Sequence, residues 1–414
     1  MPRRYWLETL GCPKNEVDSA KLAGTLESDG LVPAAHPEEA ELIVVNTCAF
    51  IEAARAESIE TVMALADARR PGARVVVTGC LAERYGDELA GALPEVDRVA
   101  GFGVPVTLSA PAVPSLDLLN LRRPPAQSPW AYVKVAEGCD RACGFCAIPS
   151  FRGRQRSRTE RDVIDEVESL GAKEVVLVAQ DLASYGRDLG RPGAIVGLIE
   201  RVAALVARTR LLYLYPSELH DRLVDAICGT GVPYFDLSLQ HASRPLLRRM
   251  RRWGDGERFA RRIADIRARE PSAAFRSSFI VGYPGETEED HDRLLEFLGE
   301  VRLDWAGFFA YSAEEGTHAA GLDGQAPPAL VAERLAELSE LQDGITASRR
   351  AELLGETVEV LVDRVGEGRS HREAPEIDGV VHVPGDLHPG DLVQLVVTGA
   401  EGPDLDAARL VEAA

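Results

Sequence analysis

The chain has 414 residues, a formal net charge of −20, and 45% hydrophobic against 27% charged residues. This length is more than one hydrophobic core fills, so two or three domains are expected, and the composition is typical of a folded globular protein. The negative charge argues against a general nucleic-acid-binding surface, which needs concentrated basic residues, and favours a basic protein partner.

The first residues, MPRRYWLETLGC, contain two arginines but neither an apolar core nor a small-residue cleavage site, so they are not typical of a signal peptide. No apolar run reaches the roughly 18 residues that a membrane span needs. We therefore expect a cytoplasmic protein without a membrane partner. In a reducing compartment, its seven cysteines favour metal binding or catalysis over a disulfide framework.

Residues 1–108 alternate short β-branched runs with longer helical patterns. The runs ELIVVNTC and RVVVTGC are typical of buried strands, and SAKLAGTLESDG and AARAESIETVMALADARR have helical apolar spacing. Such alternation predicts an α/β domain with a parallel sheet.

Three cysteines in this region each follow an apolar run, namely Cys12, Cys48 and Cys80. The strands of a parallel sheet end at one edge, where open α/β sheets bind their ligands. We therefore expect the three thiols to converge at a metal site. Three ordinary buried thiols are the alternative.

Residues 109–128 are rich in proline and serine and are predicted to be a linker. Residues 129–350 return to strand–helix alternation, with strand candidates AYVKVAEG, EVVLVAQ, LLYLYP, YFDLSLQ, FRSSFIVG and WAGFFAYS. Six such units predict a full or partial (β/α) barrel with its chemistry at the carboxyl ends of the strands. Residues 351–414 have short strands separated by Gly, Pro and Asp turns, which predict a small all-β domain.

The stretch EGCDRACGFCAIPS places Cys139, Cys143 and Cys146 in a C-x3-C-x2-C pattern after the first strand of the barrel region. Three thiolates can hold three irons of a 4Fe-4S cluster and leave the fourth iron open. An open coordination position distinguishes a reactive metal site from a sealed structural one. The alternative is a zinc site that a distant His or Cys completes.

This cysteine loop resembles that of the radical S-adenosylmethionine (SAM) superfamily, and with the earlier triplet the whole chain resembles the methylthiotransferases of that superfamily. The resemblance implies an N-terminal domain with an auxiliary 4Fe-4S cluster on Cys12, Cys48 and Cys80. It further implies a partial-barrel radical SAM domain with a second 4Fe-4S cluster, and a C-terminal TRAM domain. In that family, one SAM methylates a sulfur at the auxiliary cluster, and a second gives a radical that abstracts hydrogen from carbon. A reducing electron donor and a sulfur donor are implied partners.

The resemblance also implies residues that contact SAM, in addition to the cysteines. Phe145 lies near the adenine in such enzymes, Gln180 and Asp181 hold the amino group, and Gln240 contacts cofactor or substrate. Gly282 and Gly285 belong to a strand-end segment that lines the adenine, where glycine permits close backbone approach. The alternatives are plain packing for Phe145, helix capping for Asp181 and ordinary turns for the glycines. No catalytic residue is assigned.

Four stretches resemble the branch of this family that acts on an aspartate of small-subunit ribosomal protein S-twelve, free or in the ribosomal subunit. They are TLGCPKNEVDS, GCDRACGFCAIPSFRGRQRSR, LSLQHASRPLLRRMRR and EAPEIDGVVHV. Ser238 departs from the proline expected in the third stretch. The resemblance implies a product carrying a methylthio group on the aspartate β-carbon. A tRNA adenosine methylthiotransferase and, from another class, a non-catalytic iron–sulfur carrier are the alternatives.

The charge of the last domain bears on this choice. Residues 355–414 contain 13 acidic residues, four arginines and no lysine, whereas RNA binding depends on neutralising phosphates. An acidic domain suits a lysine- and arginine-rich ribosomal protein. The basic runs 152–158 and 248–253 are predicted to lie on solvated faces, with contact to ribosomal RNA or to the SAM carboxylate as the alternative. Cys228 is predicted to be a core thiol.

Overall fold

The computed structural model describes residues 2–104, 106 and 117–410 of the chain. It contains a parallel sheet flanked by helices, an open barrel of parallel strands and a small closed β-barrel, which confirms the predicted fold class. The boundaries at residues 108, 128 and 350 stay predictions. Of the predicted linker, residues 109–116 lie outside the described residues.

The N-terminal sheet has five parallel strands in the order β2-β1-β3-β4-β5. Its elements are β1 Arg4–Thr9, α1 Pro13–Ser28, β2 Val32–Pro33, β3 Leu42–Thr47, α2 Glu52–Ala68, β4 Arg74–Gly79, α3 Cys80–Ala92 and β5 Arg98–Val99. Strand β3 is buried at all six positions, because α1 covers one face of the sheet and α2 and α3 cover the other. This double burial explains its continuous apolar run.

The central barrel is built from two three-stranded parallel sheets, β6-β9-β10 and β11-β12-β13. A parallel bridge between Leu214 and Leu237 joins them into one open series of six strands. Its strands are β6 Trp130–Lys134, β7 Ala136–Glu137, β8 Arg156–Ser157, β9 Glu174–Val178, β10 Arg208–Leu211, β11 Tyr234–Gln240, β12 Ala274–Val281 and β13 Trp305–Ala310, with β7 and β8 forming a separate antiparallel pair.

Helices follow the barrel strands, and most of them cover the outside of the barrel, whereas α4 packs against the N-terminal core. They are α4 Ile148–Arg152, α5 Glu160–Leu170, α6 Ala194–Ala203, α7 Asp221–Cys228, α8 Arg244–Arg249, α9 Gly256–Arg269, α10 Glu288–Val301 and α11 Pro328–Ala351. Helix α10 begins with a reciprocal capping box between Thr287 and Asp290, which satisfies amides at its first turn. Within the described ranges, no helix combines the length and apolarity that a membrane span requires.

One barrel strand differs from its prediction. The sequence predicted a strand over residues 211–216, but β10 ends at Leu211. Tyr213 has a φ of 67°, a left-handed conformation that interrupts an extended chain. The Tyr213 N–H donates to Asp236 Oδ2 at 2.9 Å. The apolar pattern could not reveal this break, because a side chain on an adjacent strand stabilises it.

The C-terminal domain is a closed barrel in the order β14-β15-β16-β18-β17. Its strands are β14 Thr357–Arg364, β15 Glu367–Arg369, β16 Val381–His382, β17 Leu392–Glu401 and β18 Asp404–Arg409. The sequence did not predict β15 or β18, which are rich in charged residues. Only Leu405 and Ala407 of β18 point into this small core.

A loop of the C-terminal domain, residues 370–378, closes the amino-terminal end of the central barrel. Trp305, which begins β13, donates from Nε1 to Arg372 O at 2.7 Å. The Tyr132 hydroxyl of β6 donates to Pro375 O at 3.0 Å. The barrel's catalytic edge is the opposite one, so this loop serves to join the domains.

A buried ion-pair cluster also fixes this contact. Glu174, at the start of β9, accepts hydrogen bonds from Arg210 Nε at 2.7 Å and from Arg369 Nη1 at 3.1 Å. Burial alone would raise the pKa of Glu174, but the surrounding arginines lower it from 4.5 to about 2. The carboxylate therefore stays charged and neutralises guanidinium groups from two domains.

We predict that Glu174→Ala lowers the free energy of unfolding by about 3–5 kcal/mol, because it leaves buried guanidiniums unpaired. The lowered pKa means that the carboxylate stabilises the fold above pH 4.5 and loses this effect as the pH falls towards 2. Chemical unfolding at several pH values measures both effects. Asp386→Ala is the control, since its pair with Arg409 is exposed and contributes about 1 kcal/mol or less. Equal losses for the two variants would contradict the prediction.

Candidate functional site

Glycines with positive φ turn the chain immediately before three of the six motif cysteines. The pairs are Gly11–Cys12 (φ 101°), Gly79–Cys80 (φ 90°) and Gly138–Cys139 (φ 78°). A β-carbon on Gly79 would lie 2.3 Å from Asn46 Oδ1, and one on Gly138 would lie 2.2 Å from Arg154 O. Only glycine fits such positions. The Gly-Cys pairs were visible in the sequence and were a usable signal.

The first triplet converges at the carboxyl edge of the N-terminal sheet, as predicted. Cys12 precedes α1, Cys48 follows β3 and Cys80 begins α3. A β-carbon on Gly11 would lie 3.0 Å from Cys48 Sγ. Burial raises the pKa of Cys48 to about 11, and the neighbouring Cys12 and Cys80 thiolates add to this shift. The three sulfur atoms therefore lie near one another at this edge.

The second triplet lies on the loop between β7 and α4. Burial raises the pKa of Cys139 to about 11 and that of Cys146 to about 12, and the thiolates of this loop reinforce both shifts. The Arg141 backbone N–H donates to Cys139 Sγ at 3.4 Å, and Arg252 Nη1 donates to Cys143 Sγ at 3.3 Å. Hydrogen bonds to cysteine sulfur atoms are also found around iron–sulfur clusters, whose properties they tune.

The donor chemistry of both triplets fits an iron–sulfur cluster, in which each thiolate binds a different iron. Among the residues that the structure describes, no group of three His, Cys, Asp or Glu side chains is arranged to hold a single metal ion. The seventh cysteine, Cys228, ends α7 and packs against the barrel core, away from both triplets.

Four charges, three of them buried and one half-buried, join the two sites. Arg152, at the end of α4, donates to Cys80 Sγ at 3.0 Å and to Glu137 Oε1 at 2.9 Å. Lys134 of β6 donates to Glu137 Oε2 at 2.6 Å and also to Asp18 of α1. The Arg152 guanidinium lies 3.4 Å from Asp18 Oδ2. Two cations thus neutralise two carboxylates between the sheet and the barrel.

Glu137, one of these four charges, also contacts the predicted SAM-binding residue Gln180. Burial alone would raise the pKa of Glu137, but Arg152 and Lys134 hold it well below its usual range. Gln180 Nε2 donates to Glu137 Oε1 at 2.5 Å. Within the described residues, Gln180 Oε1 and Asp181 Oδ1 are buried acceptors without a hydrogen-bond donor. Such adjacent orphaned acceptors fit an ammonium group, which carries three donors.

The remaining predicted SAM-contacting residues lie on the cysteine loop or at the carboxyl ends of barrel strands. They are Phe145, which packs against the barrel core, Gln240, which ends β11 with a φ of 71°, and Gly282 and Gly285, which have φ values of 78° and 83°. Tyr283 lies between these two glycines, and its hydroxyl would lie 2.9 Å from a β-carbon on Gly144 of the cysteine loop. The segment 282–285 therefore packs against this loop. A β-carbon on Gly282 would itself lie 2.5 Å from Val331 Cγ2, so packing against α11 also requires this glycine.

The prediction that both basic runs are solvated is wrong for several arginines. Arg152, Arg158 and Arg252 are buried, whereas Arg154 has 92% of its side chain exposed. Each buried guanidinium has partners from distant parts of the chain, such as Ser238 O for Arg252. A run of basic residues in the sequence does not show which arginines will be buried, because folding alone brings their partners close.

Sequence reasoning also missed an aromatic–arginine stack beside the second triplet. The Tyr215 ring lies between the guanidiniums of Arg141 and Arg252, each 4.0 Å from its centroid. Arg141 Nε also donates to Asp181 Oδ2 at 2.6 Å. The position of Arg141 between two motif cysteines was the available signal for this residue.

We predict that Cys12 is the most readily alkylated thiol of the first triplet in metal-free, reduced protein. Burial raises its pKa, but Lys14 and Arg152 outweigh burial and lower it, whereas the pKa values of Cys48 and Cys80 are raised. Because the thiolate is the reactive form, iodoacetamide should label Cys12 first and continue to do so at lower pH. Peptide mass spectrometry measures the three rates.

In the same experiment, Lys14→Met should slow the labelling of Cys12, since it removes the cation that favours the thiolate. Faster labelling of Cys48 or Cys80 in the unsubstituted protein would contradict the predicted order.

Comparison with protein families divides the chain as the fold does. Residues 4–101 match the uncharacterized protein family UPF0004, residues 133–298 match the radical SAM superfamily, and residues 354–410 match the TRAM domain. The structure is similar to that of a radical S-adenosylmethionine methyltransferase, TsrM, from Kitasatospora setae, solved with cobalamin and a 4Fe-4S cluster bound. That likeness has a TM-score of 0.50 at 15% identity and covers 75% of each chain, so it concerns the fold alone.

Full-length relatives are much more similar in sequence. A protein from a Nocardioides species, called ribosomal protein uS12 methylthiotransferase RimO, is 44% identical, with 97% of this chain and 96% of that protein covered. The protein of the same name from Aquifex aeolicus is 43% identical, with 98% and 96% covered. Since this identity extends through all three domains, the chain belongs to the RimO family.

Proposed function

We propose that this protein is a radical SAM methylthiotransferase that converts the β-carbon C–H bond of an aspartate in ribosomal protein uS12 to C–S–CH3, giving 3-methylthioaspartate. The observation that carries the proposal is the pair of cysteine triplets. They lie on adjoining strand edges and are joined by the buried Arg152, in a chain 44% identical to a relative named for this activity.

We assign Cys12, Cys48 and Cys80 to an auxiliary 4Fe-4S cluster and Cys139, Cys143 and Cys146 to the radical SAM cluster. When bound, the second cluster supplies the electron for radical chemistry on SAM, and the auxiliary cluster supplies the sulfur. The protein's part is to hold each cluster by three thiolates, which leaves one iron of each open to a small molecule. Arg152 and Arg252 stabilise thiolates by donating hydrogen bonds to Cys80 and Cys143.

We assign Gln180 and Asp181 to the amino group of SAM, because their buried unpaired oxygens provide two acceptors. Arg141 fixes the Asp181 carboxylate from the other side at 2.6 Å, so that one oxygen keeps its orientation toward the cofactor. Phe145 and Gln240, with the Gly282–Gly285 segment, complete the proposed cofactor-binding surface.

The charge of the C-terminal domain supports a basic protein substrate over tRNA. Of its four arginines, Arg369 and Arg372 lie against the central barrel. The exposed arginines, Arg364 and Arg409, are each paired with a carboxylate. None of the four arginines therefore offers an unpaired exposed cation, and the acidic outer surface repels phosphates and attracts a ribosomal protein.

The proposed reaction needs an external one-electron reductant and an external sulfur donor, because the six cysteine sulfurs serve as ligands and are not consumed. We place the reaction in the cytoplasm, because uS12 is a ribosomal protein.

The decisive test offers both substrates to the anaerobically reconstituted enzyme with SAM, reductant and sulfide. We expect mass spectrometry to show a methylthio group on an aspartate of uS12 and none on tRNA. A gain on tRNA alone would replace the proposal with the tRNA alternative. Clusters that fail to cleave SAM when reduced would favour a non-catalytic iron–sulfur carrier.

A second prediction separates the two triplets. Reconstituted protein should hold about eight irons on the two-cluster assignment, and replacing either triplet with alanine should leave about four. Loss of Cys139, Cys143 and Cys146 should abolish deoxyadenosine formation. Loss of the first triplet should stop methylthiolation while deoxyadenosine still forms. Methylthiolated uS12 from the latter variant would rule out the assigned sulfur site.

A further inference from the structure

Lys14 differs from the other buried lysines of the chain in the groups that surround its ammonium. The sequence has only four lysines, Lys14, Lys21, Lys134 and Lys173. Lys21 is buried and lies 3.5 Å from a Glu166 oxygen, and Lys134 is buried between Asp18 and Glu137. Lys14 is only 8% exposed, yet it has neither a carboxylate nor a hydrogen-bond acceptor among the described residues.

The contact that Lys14 does make is with an aromatic ring of the other domain. Its Nζ lies 3.3 Å from the centroid of the Tyr213 ring. A ring face attracts an ammonium, but it does not neutralise the charge as a carboxylate does. The ammonium N–H groups that point away from the ring therefore stay available to an anion.

This ammonium lies between the two proposed cofactor sites. Lys14 is in the first turn of α1, two residues after Cys12, whose thiolate its charge stabilises. Tyr213 follows the carboxyl end of β10, and its carbonyl accepts a hydrogen bond from the backbone N–H of Leu182, next to Asp181. A carbon that loses hydrogen at one site and gains sulfur at the other has to lie in this region.

We propose that Lys14 binds the side-chain carboxylate of the target aspartate, an inference that rests on the proposed function. The aspartate β-carbon is bonded directly to that carboxylate, so an ion pair at Lys14 fixes the C–H bond that reacts. Tyr213 is a positioning residue, because its ring holds the ammonium in place. The contact also gives specificity, since a neutral base offers no carboxylate to pair with Lys14.

The charges around Lys14 are compatible with an incoming anion. Arg152 is the other cation that lowers the pKa of Cys12. Burial and the nearby Glu376 raise the pKa of Glu16, so these two carboxylates disfavour an anion on their own side of Lys14.

The test is a double-mutant cycle on binding. Anaerobic holoenzyme with SAM is titrated with uS12 and with uS12 in which the modified aspartate is replaced by asparagine. The unsubstituted enzyme should bind the asparagine form about 10- to 100-fold more weakly, the range expected for a hydrogen bond to a charged group. Lys14→Met should weaken binding of the aspartate form by a similar factor. In this variant, replacing the aspartate of uS12 with asparagine should cause no further loss of affinity. Lys14→Arg should keep part of the preference for aspartate.

Lys173→Met is the matched control, since Lys173 is exposed and precedes β9 at the opposite end of the barrel. It should bind both forms as the unsubstituted enzyme does. Iron content and the electron paramagnetic resonance signals of the clusters show whether Lys14→Met is folded and loaded. If Lys14→Met is not folded and loaded, the Lys14→Arg and Tyr213→Phe variants test the proposal in its place. Both retain a cation on an aromatic ring, so both should still bind the aspartate form of uS12 more tightly than the asparagine form.

An unchanged preference for aspartate in loaded Lys14→Met would overturn the proposal, as would equal binding of both uS12 forms by the unsubstituted enzyme. A Lys14→Met protein whose cluster signal no longer responds to SAM would assign the lysine to the cofactor instead. If the unsubstituted enzyme binds neither form of uS12, the proposed function itself fails.

Discussion

The arrangement of the two candidate cluster sites depends on four charges, the buried Asp18, Lys134 and Arg152 and the half-buried Glu137. They belong to α1, β6, β7 and α4, so they connect the N-terminal sheet to the first strand of the barrel. Breaking a buried ion pair by removing one partner typically costs about 3–5 kcal/mol. The two cysteine loops are thereby held in a fixed relation that neither domain could establish alone.

The same charges also place donors on the sulfur atoms. Arg152 reaches Cys80 in one domain and Glu137 in the other, and Glu137 in turn accepts from Gln180. Hydrogen bonds to the sulfurs are one of the means by which a protein tunes an iron–sulfur centre. A structural contact between domains and the environment of both cofactors are therefore one network, so a change in either affects the other.

The C-terminal domain contributes at the opposite end of the barrel. Its 370–378 loop and the Glu174 cluster close the amino-terminal end of the strands, which leaves the carboxyl edge for α1 and the cysteine loops. The stretch EAPEIDGVVHV, which carried part of the family resemblance, thus joins domains through residues such as Pro375 and Asp378. The latter accepts from the Tyr234 hydroxyl at 2.6 Å.

Local patterns predicted much of this fold. The candidate strand YFDLSLQ is β11 without change, because the pattern that predicts a strand is set within a few residues. The strand predicted over residues 211–216 failed, because the left-handed Tyr213 depends on Asp236. Strands β15 and β18 were missed, because their charged residues are stabilised by pairing within a closed barrel and not by apolar alternation.

The sequence by itself determined the three domains, the six candidate ligand cysteines and the Gly-Cys turns that precede three of these cysteines. The reason is that residue spacing and the backbone freedom of glycine are local properties. Only the tertiary structure decided which charges are buried and what they contact. It buried Arg152 and Arg252 against thiolates, left Arg154 in solvent, and placed Lys14 on a ring 199 residues away along the chain. The physical reason is that the energy of a charge depends on the groups around it, and folding brings those groups from distant segments.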